Sequence, residues 1–145
     1  MLLGIQGLFA EYERAKIVER TRRGKLHRTR EGALVGGHAP YGYTWIKRSE
    51  HHRAQLEIDD YTAAVVRRMY RLLLEDQAST WGIARTLTTD GVPTSKGALQ
   101  WQPMAVLRIL NNPAYKGSYR YRHSEHEHVY IPVPSIVDEA TWQAA

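Results

Sequence analysis

Lys16, Arg20, Arg23, His27 and Arg30 follow one another at spacings of four, three, four and three. An α-helix turns about 100° per residue, so these five fall within roughly 80° on one face. A row of cations on that pitch can neutralise successive phosphates of a nucleic-acid backbone. The affinity it supplies depends on salt more than on base sequence. A charge row can equally be solvated surface, but ordinary surface helices intersperse both signs. Here Glu19 is the only acid between the first and last cation.

Other groups with possible chemistry carry less. His123, His126 and His128 alternate with Glu125 and Glu127, a composition that could ligate a metal. In a strand or turn, however, side chains alternate, so at most two imidazoles share a face; the segment reads as a polar hairpin tip and no metal site is expected. His51-His52 has still less support. Of the serines, Ser79 reads as a helix cap, and Ser49, Ser95, Ser118, Ser124 and Ser135 as loop or strand residues without a basic constellation around them. There is no cysteine, which excludes a thiolate nucleophile, a disulfide framework and a cysteine-based zinc site within these residues. No complete catalytic site and no cofactor are expected.

The elements that must position these groups follow from composition and periodicity. The 145 residues are 43% apolar and carry a net charge of +5, enough for one ordinary core. Residues 1–30 hold eight Lys/Arg against three Glu, and the remaining twelve basic residues balance twelve acidic ones. The whole excess therefore sits on an N-terminal arm, for which nucleic acid is the leading partner. No apolar run approaches a membrane span, and no basic region precedes Met1-Leu2-Leu3-Gly4-Ile5; a cytoplasmic protein without a membrane association is the expectation.

Residues from about Ile5 to Arg30 contain no proline and read as one helix, with Gly24 as a weak interruption. Its first half carries an apolar stripe of Ile5, Leu8, Phe9, Tyr12 and Ala15. A lone helix is marginal in water, so that stripe requires a partner: a second copy, an upstream domain, or the rest of the chain. A homodimer through Ile5, Leu8, Phe9 and Tyr12 is the preferred expectation. Residues 31–39 have the composition of a flexible linker. From Pro40 to the end the pattern is a compact domain. A hairpin is expected from Tyr41–Ile46 and Gln55–Ile58, then helices at about 59–75, 79–89 and 102–111 with the tight turns of a helix-turn-helix unit. The last of these is expected to bury Val106, Leu107 and Leu110. Tyr119 and Tyr121 alternate with Arg120 and Arg122, and Val129-Tyr130-Ile131 can pair back on them. A final helix begins in Val137–Trp142, so the domain is expected to be truncated at its C-terminus. The fold class is mainly α with short β-hairpins (α+β): a long helix, then a three-helix domain with small antiparallel strands.

Readers of bases need an exposed helix face or strand edge. Gln102, Ala105, Arg108 and Asn112 fall opposite the expected buried face of the last helix. Lys96 stands with Thr94 and Ser95 on the loop before it, and Arg120 and Arg122 offer a second, strand-borne set. Trp101 reads as a core anchor.

Two stretches are recognisable. Ala10-Glu11-Tyr12-Glu13-Arg14-Ala15-Lys16-Ile17-Val18-Glu19-Arg20-Thr21-Arg22-Arg23-Gly24 resembles the long helix that ends the catalytic domain of serine site-specific recombinases, the resolvase/invertase group. The following string is similar to the recombinase domain of the large serine recombinases, through Ala39-Pro40-Tyr41-Gly42-Tyr43, Leu56-Glu57-Ile58-Asp59, Gly91-Val92-Pro93-Thr94, Trp101 and Ile109-Leu110-Asn111-Asn112-Pro113-Ala114-Tyr115-Lys116-Gly117. The resemblance implies a helix that dimerises through its first half and crosses DNA with its second, a linker along the minor groove, and a domain that reads an attachment half-site. Arg14, with Glu13 beside it, matches the arginine associated with the family's active site. The family's nucleophilic serine lies in a preceding domain, and its zinc ribbon needs cysteines that these residues lack. The implied function is therefore the DNA-binding portion of a large serine recombinase, acting in integration, excision or transposition and without strand cleavage of its own. The alternatives are an autonomous helix-turn-helix regulator and an inactive remnant of a mobile-element recombinase.

Overall fold

A computed structural model of the chain describes residues 2–124 and 126–145. Met1 and Glu125, the latter a member of the histidine-rich tip considered above, lie outside the described residues. The elements are α1 (Leu2–Arg30), β1 (Tyr43–Ile46), β2 (Gln55–Ile58), α2 (Asp60–Leu74), α3 (Thr80–Thr89), α4 (Pro103–Asn111), a 3-10 turn (Pro113–Lys116), β3 (Ser118–Arg122), β4 (His128–Pro132) and α5 (Glu139–Ala144). The class is α+β, mainly helical, with two separate antiparallel hairpins.

The three central helices start where short polar side chains or proline favour it. Asp59 caps α2 by accepting from the Thr62 amide, and Ser79 caps α3 by accepting from the Gly82 amide. Pro103 opens α4, where its missing N–H costs nothing. Their inward faces meet in one core: Ala63, Val66, Met69 and Tyr70 from α2, Ile83 and Leu87 from α3, Val106 and Leu110 from α4. Both expected hairpins form, the first from Tyr43 and not Tyr41, with Tyr43 opposite Ile58 and Tyr119 opposite Ile131.

Four expectations are corrected. Leu107 is not core; it is 38% exposed, while Ala105 and Ile109 pack inward. The inward stripe Ala105, Val106, Ile109 and Leu110 spans about 140°, and Leu107 falls roughly 130° from its centre. The connection from α3 to α4 is not a tight turn. It occupies residues 90–102 and is itself built, with the Thr94 amide donating to the Ala98 carbonyl and the Trp101 indole to the Val92 carbonyl. Trp101 is buried, a core anchor as expected. Gly24 does not interrupt α1, which begins at Leu2 and runs unbroken to Arg30. Finally, the segment 31–39 has no helix or strand but is not free: Leu34 and Val35 are buried, and Leu34 joins the core.

Four tyrosines stitch distant segments together. The Tyr43 hydroxyl lies 2.8 Å from the Ala114 carbonyl and 2.6 Å from that of Pro134, with one proton to share between them. Tyr115 donates to the Tyr41 carbonyl at 2.7 Å, Tyr70 to Leu110 at 2.9 Å, and Tyr41 to Pro93 at 3.1 Å. The rings of Tyr43 and Tyr115 stack with centroids 5.9 Å apart. Burial pushes the hydroxyls of Tyr41 and Tyr43 up to about 12, and raises Tyr70 and Tyr115 further still. The chain reaches this cluster through a turn in which the Tyr43 amide donates to the Pro40 carbonyl and Gly42 takes φ +98°. A Cβ at Gly42 would stand 2.8 Å from Ile136 Cδ1 and 3.3 Å from Val66 Cγ2.

Gly42→Ala is therefore expected to cost about 2–4 kcal/mol, combining left-handed backbone strain with overpacking, measured as a lowered urea midpoint. A second outcome follows from the tyrosines. Their native ionisation lies above the unfolded value near 10, so their contribution is intact below pH 10. It is lost as pH rises through 10 to 12 and beyond, by up to about 1.4 kcal/mol per pH unit for each buried hydroxyl. Far-ultraviolet circular dichroism against pH should show unfolding in that window, coincident with tyrosinate absorbance.

Candidate nucleic-acid interface

Helix α1 extends roughly 43 Å at 1.5 Å per residue. Residues 2–30 contain no proline and are rich in Leu, Ala, Glu, Lys and Arg, which sustains the helix. Its N-terminal half does not fold back on the domain. Ile5, Leu8, Phe9 and Tyr12 are 57–69% exposed. The C-terminal half leans on the second hairpin: Arg22 Nη2 donates to the His123 carbonyl at 3.0 Å, and the Arg30 guanidinium pairs with the Glu127 carboxylate. Thr29 is buried beside them, its hydroxyl bonded to the Leu26 carbonyl.

Arg22, bonded to the hairpin, the half-buried Leu26 and the buried Thr29 mark the side of the helix turned toward the domain. Lys16, Arg20, Arg23 and His27 lie roughly 120° round from them, and all four are exposed. Arg30 stands at the edge of that row and is engaged by Glu127. The expectation that the row lacks acidic partners beyond Glu19 is thus corrected. Arg23 is 3.9 Å from Glu19, His27 is 3.2 Å from Glu31, and Arg30 meets an acid nearly a hundred residues away. These pairs are exposed, worth at most about 1 kcal/mol each, and so exchangeable for a stronger anion. Lys16 Nζ lies 5.0 Å from the centre of the Tyr12 ring, where the apolar half of the face becomes basic. Glu13 and Arg14 are exposed and make no ion pair among the described residues.

A second surface lies on the domain. Leu107, Arg108, Asn111, Asn112 and Arg120 line a groove of about 410 Å³ between α4 and β3. The helix-borne and strand-borne candidates therefore meet in one place. On the other flank of α4, Arg108 and Asn112 border a groove of about 320 Å³ with Thr94, Ser95 and Pro40. Gln102 is the exposed N-cap of α4 and makes no side-chain capping bond, and Lys96 is exposed on the preceding loop. Arg122 is exposed two residues beyond Arg120, on the same strand face. Asn112 is half-buried with its Oδ1 accepting from the Ala114 amide, while its amide nitrogen makes no hydrogen bond among the described residues. Ala105 faces inward. The exposed row of α4 is instead Met104, Leu107, Arg108 and Asn111. Asn111, three residues from Arg108, is a surface residue that the expected burial of Leu107 concealed; helical spacing alone would have found it.

At the hairpin tip the His123 amide donates to the Glu127 carbonyl at 3.0 Å, closing the turn. Among the described residues no three His, Asp or Glu side chains gather closely enough to hold a metal ion, and no helix is long and apolar enough to cross a membrane.

These features define a class: an α+β domain carried behind a long, exposed helix. The same fold occurs in a crystal structure of an LSR–DNA complex, LSR denoting large serine recombinase (TM-score 0.63, 20% identity, 86% of this chain and 37% of that one). It occurs again in a structure concerned with the sequence requirements of the Listeria innocua prophage attP site (TM-score 0.62, 21% identity, 86% of this chain and 48% of that one). The chain belongs to the Recombinase family, whose model matches residues 60–145. It is also 29% identical, over its whole length, to the Bacillus subtilis (strain 168) protein named "Putative DNA recombinase", and spans 33% of that protein.

Glu127→Gln should lower global stability by no more than about 1 kcal/mol, as for other exposed pairs. Because it frees Arg30 and loosens the helix from the hairpin, it should speed hydrogen exchange selectively at the amides of residues 22–30.

Proposed function

We propose that these residues are the DNA-binding portion of a large serine recombinase, recognising attachment-site DNA during integration, excision or transposition. The observation that carries this is the orientation of the row Lys16, Arg20, Arg23 and His27: exposed and turned away from the hairpin that anchors the helix. Family membership and the fold shared with a recombinase solved with DNA support the same reading. In this proposal residues 1–30 form the helix that crosses the DNA, 31–39 connect it, and 40–145 form the recombinase domain. The α1 row contacts phosphates, joined by Arg30 when it exchanges Glu127 for the backbone. Lys96, Gln102, Arg108, Asn112, Arg120 and Arg122 supply the surface that addresses bases. Ile5, Leu8, Phe9 and Tyr12 pair with a second copy. Glu13 and Arg14 join an active site only alongside a catalytic domain, and these residues cleave no DNA by themselves.

The division of labour is testable with two variants. Lys16→Ala should weaken binding to all duplexes alike and lower the slope of log affinity against log salt by about 0.9. Arg108→Ala should instead relax the sequence preference found by selection from a random duplex pool, at a cost of about 1–3 kcal/mol on the preferred site. Identical effects of the two substitutions would overturn the assignment.

A further inference from the structure

Where α1 gives way to the domain, a groove of about 340 Å³ opens between residues 28–35 and the loop joining β1 to β2. Three arginines border it: Arg28 from the last turn of α1, and Arg48 and Arg53 from the loop. Ala33, Leu34, Val35 and Ala54 supply the rest of its wall, with Glu31 as its one acid. The carboxylate of that acid lies 3.2 Å from His27 Nε2, and its backbone carbonyl accepts from Arg53 Nη1 at 2.8 Å. Arg28 and Arg48 make no ion pair among the described residues.

The groove is held in shape by its backbone. The Gly32 amide donates to the Thr29 carbonyl and the Ala33 amide to the Arg28 carbonyl, both at 3.0 Å, and this closes the end of α1. Leu34 then enters the core. The Arg53 guanidinium clamps the loop across to the Glu31 carbonyl, a contact that leaves its charge unneutralised, and Arg28 and Arg48 line the same groove. Guanidinium groups gathered around one hollow repel each other, and an anion with several acceptor oxygens relieves that cost while accepting forked hydrogen bonds.

We propose that this groove is a phosphate seat, in which Arg28 and Arg48 grip a backbone phosphodiester of duplex DNA and Arg53 holds the loop in place. The proposal rests on the DNA-binding reading and adds a contact to it. Arg28 lies roughly 110° round the helix from the Lys16–His27 row, so seat and row engage different stretches of backbone.

The test is fluorescence anisotropy of a mixed-sequence, fluorescein-labelled duplex titrated with the full chain over a range of salt. The proteins compared are the wild type, Arg28→Gln, Arg48→Gln and, as a charge-matched control, Arg71→Gln at an exposed position on α2. Because the two arginines share one phosphate, Arg28→Gln and Arg48→Gln should each lower the salt slope by up to about 0.9, equivalent to up to about eightfold weaker binding at 0.1 M salt relative to 1 M. The control should match the wild type. Wild-type behaviour of Arg48→Gln, or an equal loss in Arg71→Gln, overturns the seat and leaves the DNA-binding reading intact. A wild-type chain that binds no duplex at low salt overturns both.

Discussion

The hydroxyl of Tyr43, poised between the carbonyls of Ala114 and Pro134, is the contact on which the domain's geometry depends. Each sheet here has only two strands, and an isolated hairpin is marginal in water. The hairpins persist because they are laid against the three helices, and the segments that lay them there are irregular. Irregular backbone leaves carbonyls without ladder partners, which are costly when buried. Tyr41, Tyr43, Tyr70 and Tyr115 meet that need with a large apolar ring for the core and a terminal donor for a stranded carbonyl. Gly42 follows from the same constraint, since only a residue without Cβ brings Tyr43 in under Ile136 and Val66. With no cysteine in the chain, this polar stitching does what covalent links do in other small, loop-rich domains.

What was legible in the sequence was local. Asp59, Ser79 and Pro103 announce their helices by cap chemistry that needs no tertiary information, and the alternation of Tyr and Arg in β3 gives its two faces directly. Structure and expectation differ where tertiary packing chooses between local options. In α4 the inward stripe runs through Ala105 and Ile109 with Val106 and Leu110, and Leu107 falls about 130° from its centre, so the rotation at which the helix docks decides which residue is buried. Residues 31–39 have the glycine content of a free linker, yet Leu34 and Val35 within them are buried and Leu34 joins the core. The pairing of Arg30 with Glu127 was out of reach, because nothing in either local sequence indicates that the β3–β4 tip comes up against the helix. Spacing places the cations of α1 on one face, and the docking of Arg22 and Arg30 decides which side of the helix is free.

The anchoring of the linker matters for the proposed function. A flexible tether would let helix and domain search for their DNA contacts independently, and each contact would then bear its own ordering cost. Here Thr29, Leu34 and the Arg53–Glu31 bond hold the junction on one side, and the hairpin tip holds it on the other. The α1 row and the α4–β3 groove are therefore presented at a set distance and angle. Much of the entropy of arranging them is lost in folding and not again at binding, which favours one register of the duplex over its neighbours. Base readers that each discriminate by only a few kcal/mol gain from this, since a misplaced register would present them all to the wrong base pairs together.

The ion pairs of α1 obey the same constraint. Without DNA, a face of closely spaced cations would repel itself and strain the helix that carries it. Glu19, Glu31 and Glu127 relieve that repulsion while remaining exposed, so each holds its cation only weakly. A phosphate row offers the same cations a denser line of charge and releases condensed counterions as it does so. Under the proposed function the acids are placeholders, strong enough to keep the side chains extended along the face and weak enough to be displaced. Arg30 differs from the others in one respect, because its acid belongs to another element. Moving it from Glu127 to a phosphate would also loosen the hairpin from the helix, so grip on the DNA by that residue is set against the docking that aims the helix.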